Sequence, residues 1–468
     1  MARWLHLRAF GAAGRNPQPA RGGDSTMNPG YGAVWALPFV AMLLAIALLP
    51  LLRPRLWHHH QGKIALACAL GFVLPELWLH GGASALHLVA HALLGEYLPF
   101  LLLLTALYTI GGGVSLRGNL HGSAGHNTAL LGVGALLAGV MGTTGAAMLM
   151  VRPLIRANDS RRHRSHVMVF FIFLVANAGG ALTPLGDPPL FLGFLHGVGF
   201  FWTLRHMAAP TALLCALLLG VFYALDRWYW RGEGERRPDP TPDSPLRLRG
   251  AWNLLWLLAV SGAVLLSGVW QAPFELRLLG QVLPGQDLVR DLLLLATIGL
   301  SLATTPRDVH RENHFEWGPM AEVAKLFLGI FISIIPVLAM LRAGEHGVLG
   351  PLVRLTSDSA GQPLPAMYFW LTGGLSALLD NAPTYLVFFN IAGGDAQRLM
   401  HEATVLAALS GGAVYMGALT YIGNAPNLMV RAIAQRRRIE MPGFFGYLGW
   451  ALLVLGPCLL LVQAVFWR

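Results

Sequence analysis

Apolar runs near 20 residues long follow one another along most of the chain, each enough for a helix to cross about 30 Å of hydrocarbon. Ten are long: roughly 32–52, 62–80, 93–114, 167–195, 206–226, 251–270, 288–304, 320–342, 402–428 and 443–466. Two more, 128–156 and 366–391, are interrupted at a polar tip, MGTTGAA (Met141–Ala147) and LLDNAPTY, which begins at Leu378. The runs lack the ten-residue alternation of barrel strands. The pattern predicts an all-α polytopic membrane protein.

The charged, Pro-rich stretch 227–250 reads as a cytoplasmic linker that cuts the chain nearly in half. It separates a first repeat, 32–226, from a second, 251–468; residues 1–31 read as a disordered extension, with Met27 an alternative start. The halves share a motif. GALTPLGDPPLF (Gly180–Phe191) matches GALTYIGNAPNLM (Gly417–Met429) at an offset of 237 residues. The same offset sets Thr143 on Asp380 and Thr144 on Asn381, so tip and break lie 44 residues apart in each half. If both interrupted runs are re-entrant hairpins, each half has five crossings, and an odd number inverts the second half relative to the first. The loops then assigned to one side hold 21 Lys/Arg against 7 on the other, apart from the extension, which makes the richer side cytoplasmic and puts both termini outside.

Composition agrees with the membrane reading. The chain is 55% hydrophobic and 12% charged, with mean hydropathy +0.56. A net charge of +10 could suggest nucleic acid, but the basic residues lie mostly between apolar runs, where they orient the protein. Cys68, Cys215 and Cys458 sit far apart in apolar runs and read as small hydrophobes. No GxxxxGK[ST], HExxH or GxSxG pattern occurs, so ATP drive and intramembrane hydrolysis have no visible machinery.

The chemistry concentrates at the breaks. Pro184, Pro188 and Pro189 interrupt helical bonding around Asp187, and broken backbone at membrane depth is tolerated only inside protein or beside water. An ionisable group there is expensive and marks function by default. Asp187 and Asp380 are therefore the leading candidates, with Thr143, Thr144, Thr183, Asn381, Thr420 and Asn424 as neutral oxygen ligands from the tips and breaks. Such a set suits a small hard cation. Burial raises a carboxylate's proton affinity and a nearby cation lowers it, so competition for one carboxylate is a minimal antiport device. Glu322 and Lys325 share a helical face and form either a boundary ion pair or, with Glu96, a proton relay. His58–His60 read as solvated, and His163 and His166 as membrane-surface contacts; His196, just after the break, is the histidine to test first.

At these residues the chain resembles the ion transporter superfamily, above all the NhaD-type sodium/proton antiporters and a related citrate transporter family. LTPLGDPPLFLGFL (Leu182–Leu195), EVAKLFLGIFISIIPVL (Glu322–Leu338), LLDNAPTYLVFFN (Leu378–Asn390) and GALTYIGNAPNL (Gly417–Leu428) carry the resemblance, which covers most of 32–466. It implies a dimeric scaffold domain, a transport domain bearing the hairpins and broken helices, and an elevator-like movement. It implies sodium at the loop Thr183–Asp187 and the tip Asp380–Thr384, so sodium is expected at Thr183, Asp187, Asp380 and Asn424. Relatives that carry dicarboxylates have Ser-Asn-Thr-type tips. Here the tips read Thr143-Thr144-Gly145 and Asp380-Asn381-Ala382, and Asp380 would repel an anion. The expectation is exchange of sodium or lithium for protons across a bacterial-type cytoplasmic membrane by a homodimer, with no cofactor; the alternative is a citrate or carboxylate symporter.

Overall fold

The computed structural model describes residues 30–233 and 244–468. The first half runs α1 (Leu37–Leu52), α2 (Pro54–Leu79), α3 (Gly82–His91), a π-helical turn (Ala92–Tyr97), α4 (Leu98–Gly112), β1 (Ser115–Arg117), α5 (Ala124–Met141), α6 (Thr143–Ala157), α7 (Ser165–Leu174), α8 (Pro188–Leu195) and α9 (Phe200–Gly232). After β2 (Arg247–Arg249) come α10 (Trp252–Val269), the hairpin β3 (Glu275–Leu278) and β4 (Gln281–Pro284), α11 (Gly285–Thr304), α12 (Arg307–Glu312), α13 (Gly318–Ser333), α14 (Ile335–Arg342) and α15 (Gly350–Arg354). The chain closes with α16 (Pro365–Leu378), α17 (Asn381–Ile391), α18 (Ala396–His401), α19 (Ala403–Tyr415), α20 (Ala425–Arg436), α21 (Phe444–Trp450) and α22 (Gly456–Phe466).

Eight of the described helical stretches are long and apolar enough to cross a membrane, and the bent pair α13–α14, with 42° between its parts, makes a ninth. The protein is a multi-pass helical membrane protein. Its spans differ in where they sit. Only 17% of the window Ala33–Pro50 is buried in the molecule, whereas 89% of Ser165–Leu182 is. The first presents leucines outward, as a helix facing lipid does; the second, which leads to Asp187, runs through the centre.

The interrupted runs fold as paired helices. α5 and α6 pack on each other and on α4, α9 and the 3-10 turn Ala178–Leu182; α16 and α17 pack on each other and on α19. Local chemistry explains their ends. Ser123 caps α5 by accepting from the His126 N–H at 3.3 Å, and Asp380 caps α17 by accepting from the Ala382 N–H at 3.3 Å. Between α5 and α6 the chain turns at Gly142, whose φ of +79° other residues rarely adopt.

The linker is shorter than the sequence suggests. Residues 227–232 continue α9, and β2 pairs antiparallel with β1 of the first half, Ser115 opposite Arg249. Residues 1–29, most of the expected extension, lie outside the described residues. Tyr31, placed in that extension by composition, instead belongs to the core: it is buried and donates to the Glu76 carboxylate at 3.2 Å.

Candidate functional site

The two breaks have similar backbone at their corresponding residues. In the first half a 3-10 turn, Ala178–Leu182, leads to extended Thr183 (φ −142°, ψ 162°) and extended Asp187 (φ −145°, ψ 142°), and α8 begins. In the second, Met416–Leu419 leads to Thr420 (φ −133°, ψ 166°) and Asn424 (φ −154°, ψ 136°), and α20 begins. The threonines do equivalent work. Thr183 donates to the Gly139 carbonyl at 2.6 Å and accepts from the Leu185 N–H; Thr420 donates to the Ala377 carbonyl at 2.5 Å and accepts from the Ile422 and Gly423 N–H groups. Each hydroxyl thus ties the extended segment to the first arm of its own hairpin.

Asp187 is the meeting point. Its side chain is buried, and Oδ1 accepts from the Thr143 hydroxyl at 3.1 Å and from Asn424 Nδ2 at 3.3 Å. Oδ2 accepts from Asn381 Nδ2. The donors come from the first hairpin tip, the second break and the second hairpin tip, so three of the four interruptions close on a carboxylate from the fourth. Close approach is possible because position 180 lacks a side chain: a Cβ there would lie 2.7 Å from Thr143 Cγ2 and 3.1 Å from Asp187 Cβ. The Thr143 N–H also donates to the Gly186 carbonyl at 2.9 Å, binding tip to break through the backbone.

All the side-chain donors to Asp187 are neutral. A buried carboxylate without a countercharge is costly, so the site suits an arriving cation or proton. It also has a spare acceptor, since Asn381 Oδ1 is buried and has no hydrogen-bond partner among the described residues. Among the described residues no group of three or more His, Cys, Asp and Glu could hold a metal; the oxygen donors here are carboxylate, amide and hydroxyl.

One member of this network is absent from the sequence-level candidates. Asn177, buried just before the first break, donates to the Ile172 carbonyl and to Asn427 Oδ1, both at 2.8 Å, and accepts from Asn424 Nδ2 at 3.3 Å. Asn427 in turn donates to the Gly417 and Thr420 carbonyls. This amide chain holds the two breaks together. Its only signal in the sequence is an asparagine inside an apolar run.

The other candidates are distributed differently. Asp380 is half-buried at the cap of α17, and among the described residues it makes no hydrogen bond to Asp187. Thr144 is half-buried beside Thr143 and has no side-chain hydrogen bond among the described residues. Glu322 and Lys325 are exposed at the start of α13, and no ion pair joins them among the described residues. Glu96, in the π-helical turn, lies 3.6 Å from His196. His58–His60 are exposed. His166 departs from the sequence reading: it is buried, with Nε2 2.7 Å from Asp226, which also takes Arg161 at 2.5 Å and Asn127 at 3.0 Å. Asp226 lies 60 residues further on, so local sequence does not reveal it.

Comparison with known proteins bears on the class. A family model described as "Putative citrate transport" matches residues 29–467. The chain belongs to that family. None of the curated proteins compared with it matches. The match spans both hairpins and both breaks, so the Asp187 cluster lies within the region that defines this transport family.

Proposed function

We propose that the protein is a secondary transporter of the cytoplasmic membrane that exchanges sodium or lithium for protons, with Asp187 serving each ion in turn. The observation that carries this reading is the buried Asp187 carboxylate, held by neutral donors from both halves beside the open Asn381 oxygen. A sodium ion needs oxygen ligands, and Asp187, Asn381, Thr143 and Asn424 supply them; Asp380, beside Asn381 at the second hairpin tip, adds a second acidic group. When a proton replaces the cation, rotation of the Asn381 amide presents Oδ1 to the carboxylic O–H. The same amide therefore serves the ionised and the protonated acid, and neither state leaves the Asp187 carboxyl unpartnered.

The matching local geometry of the two breaks supports an inverted-repeat architecture, five crossings and one hairpin in each half, with α5–α6 entering from the cytoplasm, α16–α17 from outside, and both termini outside. A homodimer follows from the same family resemblance. The family description favours a second reading, symport of citrate driven by a cation at Asp187. The anion would then bind away from Asp187, which repels it.

The test uses full-length protein in liposomes with an internal pH dye and an imposed proton gradient. Sodium or lithium should collapse the gradient, and Asp187→Asn should abolish the effect while leaving reconstitution intact. Silence toward both cations with uptake of labelled citrate would replace antiport by symport. An unaffected Asp187→Asn variant would remove Asp187 from either mechanism.

A further inference from the structure

His196 closes α8, the helix that Asp187 opens. Its ring faces two acceptors. Nδ1 lies 2.9 Å from the Leu192 carbonyl, and Nε2 lies 3.6 Å from Glu96 Oε1. A neutral imidazole has one N–H and can serve only one acceptor; the imidazolium serves both. Both side chains are largely enclosed, at 14% and 12% exposure, so an unsatisfied partner would be costly. The end of a helix also favours a cation, because its last carbonyls point outward.

The surroundings hold other charged groups and a nearby cavity. Charged or titratable groups near the ring or its partner include His91 at the end of α3 and Arg342 at the end of α14. Arg342 already donates through Nε to Asn390 Oδ1 at 2.8 Å, and the Phe389 ring packs 5.7 Å from the imidazole. A cavity of about 690 Å³ is lined by Gly95 and Gly197, the neighbours of the pair. Across it, Arg290 is paired to Asp287 at 2.8 Å and to Asp291 at 2.9 Å and so is not free to take Glu96. The 14% exposure of the His196 side chain leaves water a way to deliver a proton to it.

We propose that Glu96 and His196 form a second proton-binding site, separate from Asp187, which fastens α8 to the π-helical turn Ala92–Tyr97 when protonated and frees it when the proton leaves. The proton adds to Nε2 and departs from it to water; no other bond changes. α8 has eight residues, so the proton sits about 12 Å along a rigid helix from the Asp187 end. Binding at one end therefore positions the carboxylate at the other. The proton site stands on geometry alone; only its effect on transport rests on Asp187 as ion carrier.

The experiment is a titration of full-length protein in lipid nanodiscs, labelled with ¹⁵N-histidine, with the His196 signal assigned by its loss in His196→Gln. His196 should pass from imidazolium to neutral ring, and Glu96→Gln should lower its proton affinity tenfold or more. Arg342→Gln, which removes a repelling cation, should raise that affinity and serves if Glu96→Gln does not fold. An unchanged titration in the variant that folds, or a ring neutral throughout, would overturn the proposal. In liposomes, Glu96→Gln should move the pH profile of transport in the acid direction. A titration shift in protein that carries no ion would sink the transport reading and leave the proton site standing. Normal transport with no titration shift would do the reverse.

Discussion

Asn381 and Thr183 are both polar residues beside Asp187 in sequence logic, yet they face different partners. Asn381 donates to the carboxylate, whereas the Thr183 hydroxyl is taken by the Gly139 carbonyl. Asn381→Ala should therefore weaken cation affinity by about 10- to 100-fold, the usual cost of losing a partner that orients a ligand, read from the sodium dependence of flux. Thr183→Val should leave that affinity nearly unchanged and lower thermal stability by about 1 kcal/mol. Polar groups in apolar runs are rare because they are expensive, and this is why Asp187, Thr143, Asn381 and Asn424 are legible from sequence alone. Their partners are not. Asn177 and the Asp226–His166 pair depend on contacts between distant segments, and a lone asparagine or histidine carries no mark of the residue it will meet.

At the scale of elements, what matters is how closely a tip approaches a break. Gly180 sets that distance in the first half. Gly180→Ala would press a methyl group onto Thr143 Cγ2, and overpacking of this kind costs about 1–3 kcal/mol. The expected result is a lower melting temperature with a marked fall in flux. Thr143→Ser removes the clashing carbon while keeping the hydroxyl, so the double variant should recover part of both. The breaks and tips were readable because proline, glycine and the repeated GALT motif stand out against leucine-rich runs. The end of the linker was not. Its last residues pair as β2 with β1 in the other half, and three-residue strands leave almost no periodic signal.

The whole molecule has a second polar centre that transport, as proposed, does not use. Arg161, Asp226, Glu233 and His166 are buried together, joining the loop after α6 to α7 and to the end of α9. Removing one partner strands opposite charges in a dry interior. Arg161→Met should destabilise the protein by about 3–5 kcal/mol, seen as a large loss of thermal stability in detergent. If stability is unchanged, the cluster is not a structural clamp. The helical membrane class was evident from hydropathy alone, because about 30 Å of hydrocarbon imposes run length directly. Which span runs through the centre was less so, since Ser165–Leu182 and Ala33–Pro50 are both apolar and differ in what surrounds them.

Asp187 belongs to the first half, and two of its three donors, Asn381 and Asn424, belong to the second. During synthesis the carboxylate must therefore wait: it enters the membrane well before the amides that hold it have been made. Until Asn424 arrives, the nascent chain has an acidic group without its full set of donors; with Asp187 as the proposed ion carrier, an unfinished protein has no complete path by which to leak ions. A chain cut between residues 233 and 244 should behave accordingly. Either half expressed alone should be transport-silent, and co-expression should restore flux only where the halves co-purify.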